Sequence, residues 1–208
     1  MEFDELVRAT GACRYFTSDP VPDEVLARLF EAARFGPQGG NRQPVRYVVI
    51  RDPEVKARLG GWYREVWDSY SGGYRAGQGG SAITESADHL ARNFGEVPVL
   101  VVVGAVLDDL LRPDADLDRP GIVGGASVYP SVQNLLLAAR QEGLGATLTT
   151  LLCRFEPQVK ELLGIPDEVI TAATVTLGYP ARSLPTRLTR RPAEEVVFAD
   201  RYGNRLFA

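Results

Sequence analysis

The chain has 208 residues, of which 45% are hydrophobic, and this is long enough for one substantial core. Its formal net charge of −4 argues against nucleic acid as the main partner, because proteins bind that polyanion through clustered lysine and arginine. The longest apolar run, 97–107, is too short to span a bilayer, and the acidic start lacks the pattern of a secretion signal, so we predict a cytoplasmic protein.

Apolar periodicity divides the chain into helices and strands. The first half is predicted to hold a short helix at 4–8, a helix that begins at Pro22, a strand at 45–50 and a helix from 52 to about 70. The second half is predicted to hold helices at 82–94, 124–142 and 155–163, strands at 97–106, 146–152 and 170–177, and an irregular tail from 183. Alternating helices and strands without a repeat favour an α/β or α+β sandwich.

Two stretches are rich in glycine. Residues 71–81 contain five glycines and are predicted to form a mobile lid over a site or a disordered loop without a role. Residues 36–44 read Gly-Pro-Gln-Gly-Gly-Asn-Arg-Gln-Pro, which combines glycines that admit a flat ligand with amide and guanidinium groups that bind carbonyls and ring nitrogens. The alternative for this second stretch is a polar surface loop.

Side chains typical of acid–base or nucleophilic catalysis are scarce. The single histidine, His89, is predicted to be a solvated surface residue, and it cannot form a zinc site or a Ser-His-Asp triad alone. The two cysteines, Cys13 and Cys153, lack metal-ligand spacing, so they suit a reducing compartment. A chain with polar clamps but without such catalytic groups indicates a bound cofactor that carries the reaction.

Four motifs occur in an order that resembles the nitroreductase family of flavin-dependent enzymes. They are the loop at 37–44 with the strand after it, the segments 14–16 and 19–21, the segments 132–139 and 143–145, and the segments 163–166 and 177–180 before 190–192. The resemblance implies an α+β fold, that is, an α/β three-layer sandwich with a mainly antiparallel central sheet. It also implies an intertwined homodimer, with one FMN-binding domain at 1–197 and a tail at 198–208 that packs on the partner subunit.

The resemblance further implies that basic residues from both ends of the chain hold the FMN phosphate. The family's N-terminal Arg-x-Ser falls here on Thr10, Gly11 and Ala12, so the usual guanidinium is missing. The loop at 37–43 would lie at the ring edge, and a backbone N–H near Thr150 would face the reactive nitrogen N5. The implied cofactor-binding residues are Thr10, Gly11, Ala12, Arg14, Pro37, Gln38, Gly39, Asn41, Gln43, Leu148, Thr149, Thr150, Leu151, Arg190 and Arg191.

The implied activity is the transfer of electrons from NAD(P)H through FMN to a small aromatic acceptor, such as a nitroaromatic or a quinone, in a ping-pong cycle. The flavin itself would be the reactive group, and neither a catalytic side chain nor a metal is predicted. Other chemistries on the same fold, namely enone reduction, dehalogenation and flavin fragmentation, stay open. A non-catalytic flavin-binding protein is the remaining alternative, and the missing Arg-x-Ser favours it.

Overall fold

A computed structural model describes residues 1–78 and 82–207 of the chain. These residues form a sheet in the order β1-β2-β4-β3, in which every neighbouring pair of strands is antiparallel. The predicted antiparallel central sheet is therefore confirmed. The strands are β1 (Val45–Ile50), β2 (Val99–Val106), β3 (Gly145–Thr149) and β4 (Val169–Gly178).

Both faces of the central strand β2 are covered. Successive side chains of a strand point to opposite faces, so Val101 and Val103 pack into one core whereas Leu100 and Val102 pack into another. All four side chains are at most 1% exposed. The apolar run predicted from sequence is therefore a strand buried on both faces, as its lack of polar alternation indicates.

Helices on the two faces complete the predicted three layers. One core contains residues of α2 and α5, and the other contains residues of α3, α4 and α6. α2 follows Pro22 and has Asp23 and Glu24 in its first turn, where acidic side chains stabilise the positive end of the helix dipole. The helices are α1 (Phe3–Ala9), α2 (Asp23–Ala33), α3 (Pro53–Gln78), α4 (Ala82–Arg92), α5 (Tyr129–Gln141), α6 (Glu156–Leu163) and the short α7 (Ala193–Val196).

The first glycine-rich stretch differs from its prediction. Its backbone continues α3 without a break from Ser71 to Gln78, so the alternative of a disordered loop is wrong for these residues, whereas the lid stays a prediction. A glycine inside a helix costs only about 1 kcal/mol relative to alanine, and a long helix that is already packed propagates through such a cost. The rest of the predicted lid, 79–81, lies outside the described residues.

Two predicted boundaries next to the candidate site also change. The helix expected at 124–142 begins only at Tyr129, and a 3-10 helix (Val123–Ser127) precedes it, because paired glycines favour an α-helix poorly. The strand expected to reach Leu152 ends at Thr149, and a 3-10 helix (Leu151–Phe155) follows. Thr150 and Leu151 therefore lie outside the sheet, where the chain turns away from it.

The C-terminal tail is largely irregular, as predicted, apart from α7 and an antiparallel bridge between Phe198 and Arg205. Several apolar side chains near its end are exposed, including Tyr202, Leu206 and Phe207. A search of the described residues finds no helix with the length and apolar character required to cross a membrane.

Candidate functional site

The segment after α1 runs along the outer edge of β3. Ala12 pairs with Ala146 in a parallel bridge, and the Cys13 N–H donates to the Ala146 carbonyl at 2.9 Å. The Thr147 hydroxyl donates to the Cys13 carbonyl. A Cβ at Gly145 would lie 2.4 Å from the Cys13 Sγ, so glycine is what lets the segment approach the strand. These contacts hold the N-terminal site residues against β3.

A cavity of about 210 Å³, the α5 cavity, lies between this segment and α5. Its one charged lining residue is Arg140, in the last turn of α5. The C-terminal segment packs beside it, because the Leu188 N–H donates to the Arg8 carbonyl at 2.7 Å and a Cβ at Gly11 would lie 2.9 Å from Pro185. The cavity is lined by Thr10, Gly11, Ala12, Leu136, Arg140, Leu144, Ala146, Thr147, Leu148 and Leu184.

A second cavity of about 260 Å³, the α3 cavity, lies on the side of β3 that faces α3 and α4. Thr147 and Leu148 line both cavities, so the two cavities lie against the same stretch of β3. Arg14 lines the α3 cavity, and its Nη1 donates to the Ser86 hydroxyl at 3.3 Å. The structure thus brings together Arg14 and the segment 148–151, which the sequence resemblance assigns to one ligand. The cavity is lined by Arg14, Tyr63, Trp67, Tyr70, Ala87, Leu90, Thr147, Leu148, Thr149, Thr150 and Leu151.

Aromatic side chains of α3 form one wall of the α3 cavity. Tyr63, Trp67 and Tyr70 share a face of the helix, and the Trp67 Nε1 donates to the Asp88 carboxylate at 2.6 Å. Burial raises the pKa of Tyr63, while the neighbouring Thr149 side chain and the charge of Arg14 act in the opposite direction. Sequence analysis missed this wall. The helical spacing indicates a buried face, but it does not show that the face ends at a cavity.

A third cavity, the outer cavity of about 620 Å³, shares the lining residue Thr150 with the α3 cavity. Its charges come from Arg112 and from an ion pair between Arg119 and the buried Asp114, whose atoms are 2.7 Å apart. Cys153 also lines it, and partial desolvation raises the pKa of its thiol although the residue is exposed overall. A thiol with a raised pKa is a weak nucleophile at neutral pH, which gives no support to covalent catalysis by Cys153.

The loop at 37–43 lies against the start of α5. The Gly39 N–H donates to the Ser127 hydroxyl at 3.0 Å, and a Cβ at Gly36 would lie 2.4 Å from the Ser131 backbone nitrogen. The side-chain oxygen of Gln38 is buried and has no hydrogen-bond partner among the described residues. A buried amide oxygen without a hydrogen-bond donor costs free energy, so the loop has one acceptor that the described part of the chain leaves unsatisfied.

Two exposed amide residues of this loop, Asn41 and Gln43, have left-handed φ angles of 52° and 53°. Residues with a Cβ adopt such angles at an energetic cost, and they do so mostly where the surroundings or a function enforce them. None of the residues at 37–43 lines the α5, α3 or outer cavity. A single chain therefore assembles the N-terminal and 148–151 groups but leaves the loop apart from them.

Arg190 and Arg191, the predicted C-terminal phosphate ligands, are exposed. The Arg190 Nη1 donates to the carbonyl of its neighbour Thr189 at 2.8 Å. Both arginines follow Leu188 closely and so lie a short stretch of chain beyond the α5 cavity, which they do not line. The arginine that does line it, Arg140, was absent from the sequence prediction.

His89 is half-buried, so the expectation of a solvated surface residue is wrong. Its ring stacks on Tyr15 with 4.2 Å between the ring centroids, and the Arg182 guanidinium lies 3.5 Å from the centre of the same tyrosine ring. Burial and the charge of Arg182 both lower the pKa of His89. The stack holds the residue next to Arg14 in place, and no sequence signal linked these three side chains.

Comparison with known proteins identifies the family. The model of the Nitroreductase family matches residues 7–179. The NADH dehydrogenase of Thermus thermophilus is 30% identical over 209 residues, which covers 88% of this chain and 89% of that protein. The iodotyrosine deiodinase of Nematostella vectensis is 27% identical over 202 residues, which covers 94% of this chain and 74% of that protein.

A solved structure agrees with the sequence relatives. The FMN and NADPH-dependent nitroreductase NfnB from Sphigopyxis sp. strain HMH matches with a TM-score of 0.72 at 21% identity, over 97% of this chain and 100% of that one. At this identity the likeness shows the fold alone.

Fold and relatives together define the class, an NAD(P)H-dependent flavin oxidoreductase, as the sequence resemblance implies. The chain belongs to the nitroreductase family, because the family model covers residues 7–179 of 208.

Proposed function

We propose that the protein binds FMN and transfers electrons from NADH or NADPH to a nitroaromatic, a quinone or a similar electron-poor acceptor. The observation that carries the proposal is that two cavities share the lining residues Thr147 and Leu148. The α5 cavity is lined by the Arg140 guanidinium and by no acidic residue, and the α3 cavity has a wall of aromatic rings. An anion joined to a flat ring system is the ligand that matches both.

The residues present fit FMN. Arg140 can bind an anion in the α5 cavity, and Arg14 can donate to a ring carbonyl in the α3 cavity. The loop at 37–43 presents amide groups whose hydrogen-bonding capacity is not used up within the chain, since the Gln38 oxygen has no partner among the described residues. Bound FMN would supply the chemistry, by accepting two electrons from NAD(P)H and delivering them to the acceptor in a ping-pong cycle.

The protein's own groups would bind and orient. The backbone around Thr150, where the chain leaves β3, would place an N–H close to ring nitrogen N5 and stabilise the charge that develops there. The buried rings of Tyr63 and Trp67 would exclude water from the ring, because their side chains are 5% and 8% exposed. Exclusion of water strengthens the electrostatic interactions in the site, since a dry site has a low dielectric constant.

The proposal includes a homodimer. The loop at 37–43 lines none of the α5, α3 and outer cavities of its own chain, so the loop of a second copy would complete each flavin site. Exposed apolar side chains of the tail, 198–208, would pack on the partner subunit, and Tyr202 in particular is 94% exposed. Apolar surface of this kind is a common sign of an interface.

The outer cavity is the proposed acceptor site. It adjoins the α3 cavity at Thr150, and its volume of about 620 Å³ lies within the range of small-molecule sites. Apolar side chains such as Leu110 and Ile170 would contact an aromatic ring, and Arg112 would attract electron-rich substituents such as nitro or quinone oxygens.

Two alternatives remain. The Nematostella vectensis relative is named an iodotyrosine deiodinase, which favours reductive dehalogenation on this fold. The missing N-terminal Arg-x-Ser favours a protein that binds flavin without turnover.

One series of measurements separates these functions. The purified protein should be yellow, should release FMN on denaturation and should oxidise NADH or NADPH when a quinone is added. A yellow protein that oxidises neither nicotinamide with any quinone, nitroaromatic or iodotyrosine would be a flavin binder. A colourless protein that takes up no FMN would overturn the whole proposal.

A further inference from the structure

Arg140 is a half-buried cation in the last turn of α5. Its Nη2 donates to the Pro185 carbonyl at 3.1 Å, whereas its Nε is buried and has no hydrogen-bond partner among the described residues. No ion pair to Arg140 is found in the described part of the chain, 1–78 and 82–207. A desolvated charge costs free energy unless an opposite charge and hydrogen bonds compensate for it. Arg140 therefore indicates an anion-binding site.

The α5 cavity around Arg140 suits a small anion. It contains no carboxylate, and Arg140 is the one charged group among its ten lining residues. Its two hydroxyl groups already donate elsewhere, because Thr10 donates to the Leu6 carbonyl at 2.7 Å and Thr147 donates to the Cys13 carbonyl. The guanidinium is thus the main donor available to a ligand. A volume of about 210 Å³ admits a phosphate group but is small for a whole flavin.

We propose that Arg140 binds the phosphate of FMN in the α5 cavity and takes the place of the guanidinium that Thr10, Gly11 and Ala12 do not provide. This inference rests on the proposed function, since it assigns one end of the same ligand. Leu148 lines both the α5 and the α3 cavity, so the chain that links phosphate to ring would pass beside this residue. Planar guanidinium groups bind phosphate with paired hydrogen bonds, which makes the site specific for FMN over riboflavin.

The test compares FMN with riboflavin, which lacks the phosphate, on flavin-free protein. Arg140→Met keeps most of the side-chain volume and removes the charge, and Arg140→Lys keeps the charge without the planar fork. Arg28→Met is the matched control, since Arg28 pairs with Glu142 at the same end of α5 but does not line the α5 cavity. Dissociation constants are read from the quenching of flavin fluorescence.

Arg140→Met should weaken FMN binding about 10- to 100-fold and riboflavin binding less than about twofold. Arg140→Lys should lose FMN affinity by an intermediate factor, and Arg28→Met should change neither constant. Each variant's FMN-to-riboflavin ratio is independent of the folded fraction. If Arg140→Met folds poorly, the ratio measured on Arg140→Lys therefore decides the question.

Equal losses for both flavins would overturn the proposal and leave Arg140 as a support for the 185–188 segment. Calorimetry with inorganic phosphate adds a second check. If phosphate alone binds through Arg140 while the two flavins lose affinity equally, the cavity is a free-anion site and not the FMN phosphate site. Wild-type protein that binds neither flavin would refute the proposed function itself. Wild-type and Arg140→Met proteins that bind FMN equally would refute the role of Arg140 alone.

Discussion

Gly145 and Cys13 are in such close contact that a Cβ at position 145 would lie 2.4 Å from the Cys13 Sγ and 2.5 Å from its Cβ. The contact joins the N-terminal segment to the first residue of β3, and the two neighbours of Cys13, Ala12 and Arg14, line the α5 and α3 cavities respectively. The spacing between these two residues therefore controls the shape of the site as well as the packing of the fold.

Gly145→Ala should lower the free energy of unfolding by about 1–3 kcal/mol, as overpacking of a well-filled interior does. It should also reduce the amount of bound flavin, because Ala12 and Arg14 would shift away from β3. Gly61→Ala is the matched control. A Cβ at Gly61 meets nothing within 4 Å, and the residue lies inside α3, so alanine should raise the free energy of unfolding by about 0.5–1 kcal/mol. If urea denaturation shows the same change in the free energy of unfolding for both variants, the close packing of Gly145 against Cys13 does not have the proposed effect.

The strands and most helices were predictable because their signals are local. β2 is a run of apolar residues that end at a turn, and β1 follows a loop defined by two prolines. The helix α3 extends to Gln78, and this was not predictable from composition because glycine lowers helix propensity. Packing of the preceding turns sustains the helix instead. The end of β3 at Thr149 was also missed, because β-branched residues favour a strand wherever they occur.

The candidate site was harder to predict because it depends on distant segments. The order of the motifs assigns Arg14 and the segment 148–151 to the same ligand, and in the structure both line the α3 cavity. Arg140 gave no signal, since an arginine in the last turn of a helix usually interacts with the helix dipole. Its environment is created by the convergence of segments near residues 10, 140 and 185, which no local pattern encodes.

Flavin binding and dimer formation should be linked, since groups from two chains are proposed to complete each site. Removal of the flavin should lower thermal stability, and a ligand present at 100 times its dissociation constant stabilises the folded form by about 2.7 kcal/mol. Sedimentation should show a dimer that dissociates more readily without FMN. A monomer that retains FMN at all concentrations would contradict the shared site.

Arg190 should matter less than its motif position suggests. A phosphate ligand in a buried, charge-assisted hydrogen bond would cost about 1.5–3 kcal/mol of FMN affinity when replaced by alanine. The Arg190 side chain is exposed and turned to the Thr189 carbonyl, so Arg190→Ala should weaken FMN binding by less than about tenfold. Fluorescence titration alongside Arg140→Met gives the comparison. A larger loss for Arg190→Ala than for Arg140→Met would show that the C-terminal arginine is the main phosphate ligand.

The stack of Tyr15 on His89 should make stability depend on pH. Burial and then the charge of Arg182 lower the pKa of His89, below its ordinary value of 6.5. In the pH range around and below 6.5 the histidine is protonated in a larger fraction of unfolded molecules than of folded molecules, so the unfolded state binds more protons. The free energy of unfolding should therefore fall as pH decreases through this range.

His89 is the chain's single histidine, which makes the effect assignable. Urea denaturation between pH 5.5 and 7.5, a range chosen about the ordinary histidine pKa, should show the fall in wild-type protein and its loss in His89→Gln. Arg182→Gln is the intermediate case, because it removes the second cause of the lowered pKa but leaves the burial, so the fall should become shallower. An unchanged pH dependence in His89→Gln would show that the stack does not couple protonation to folding.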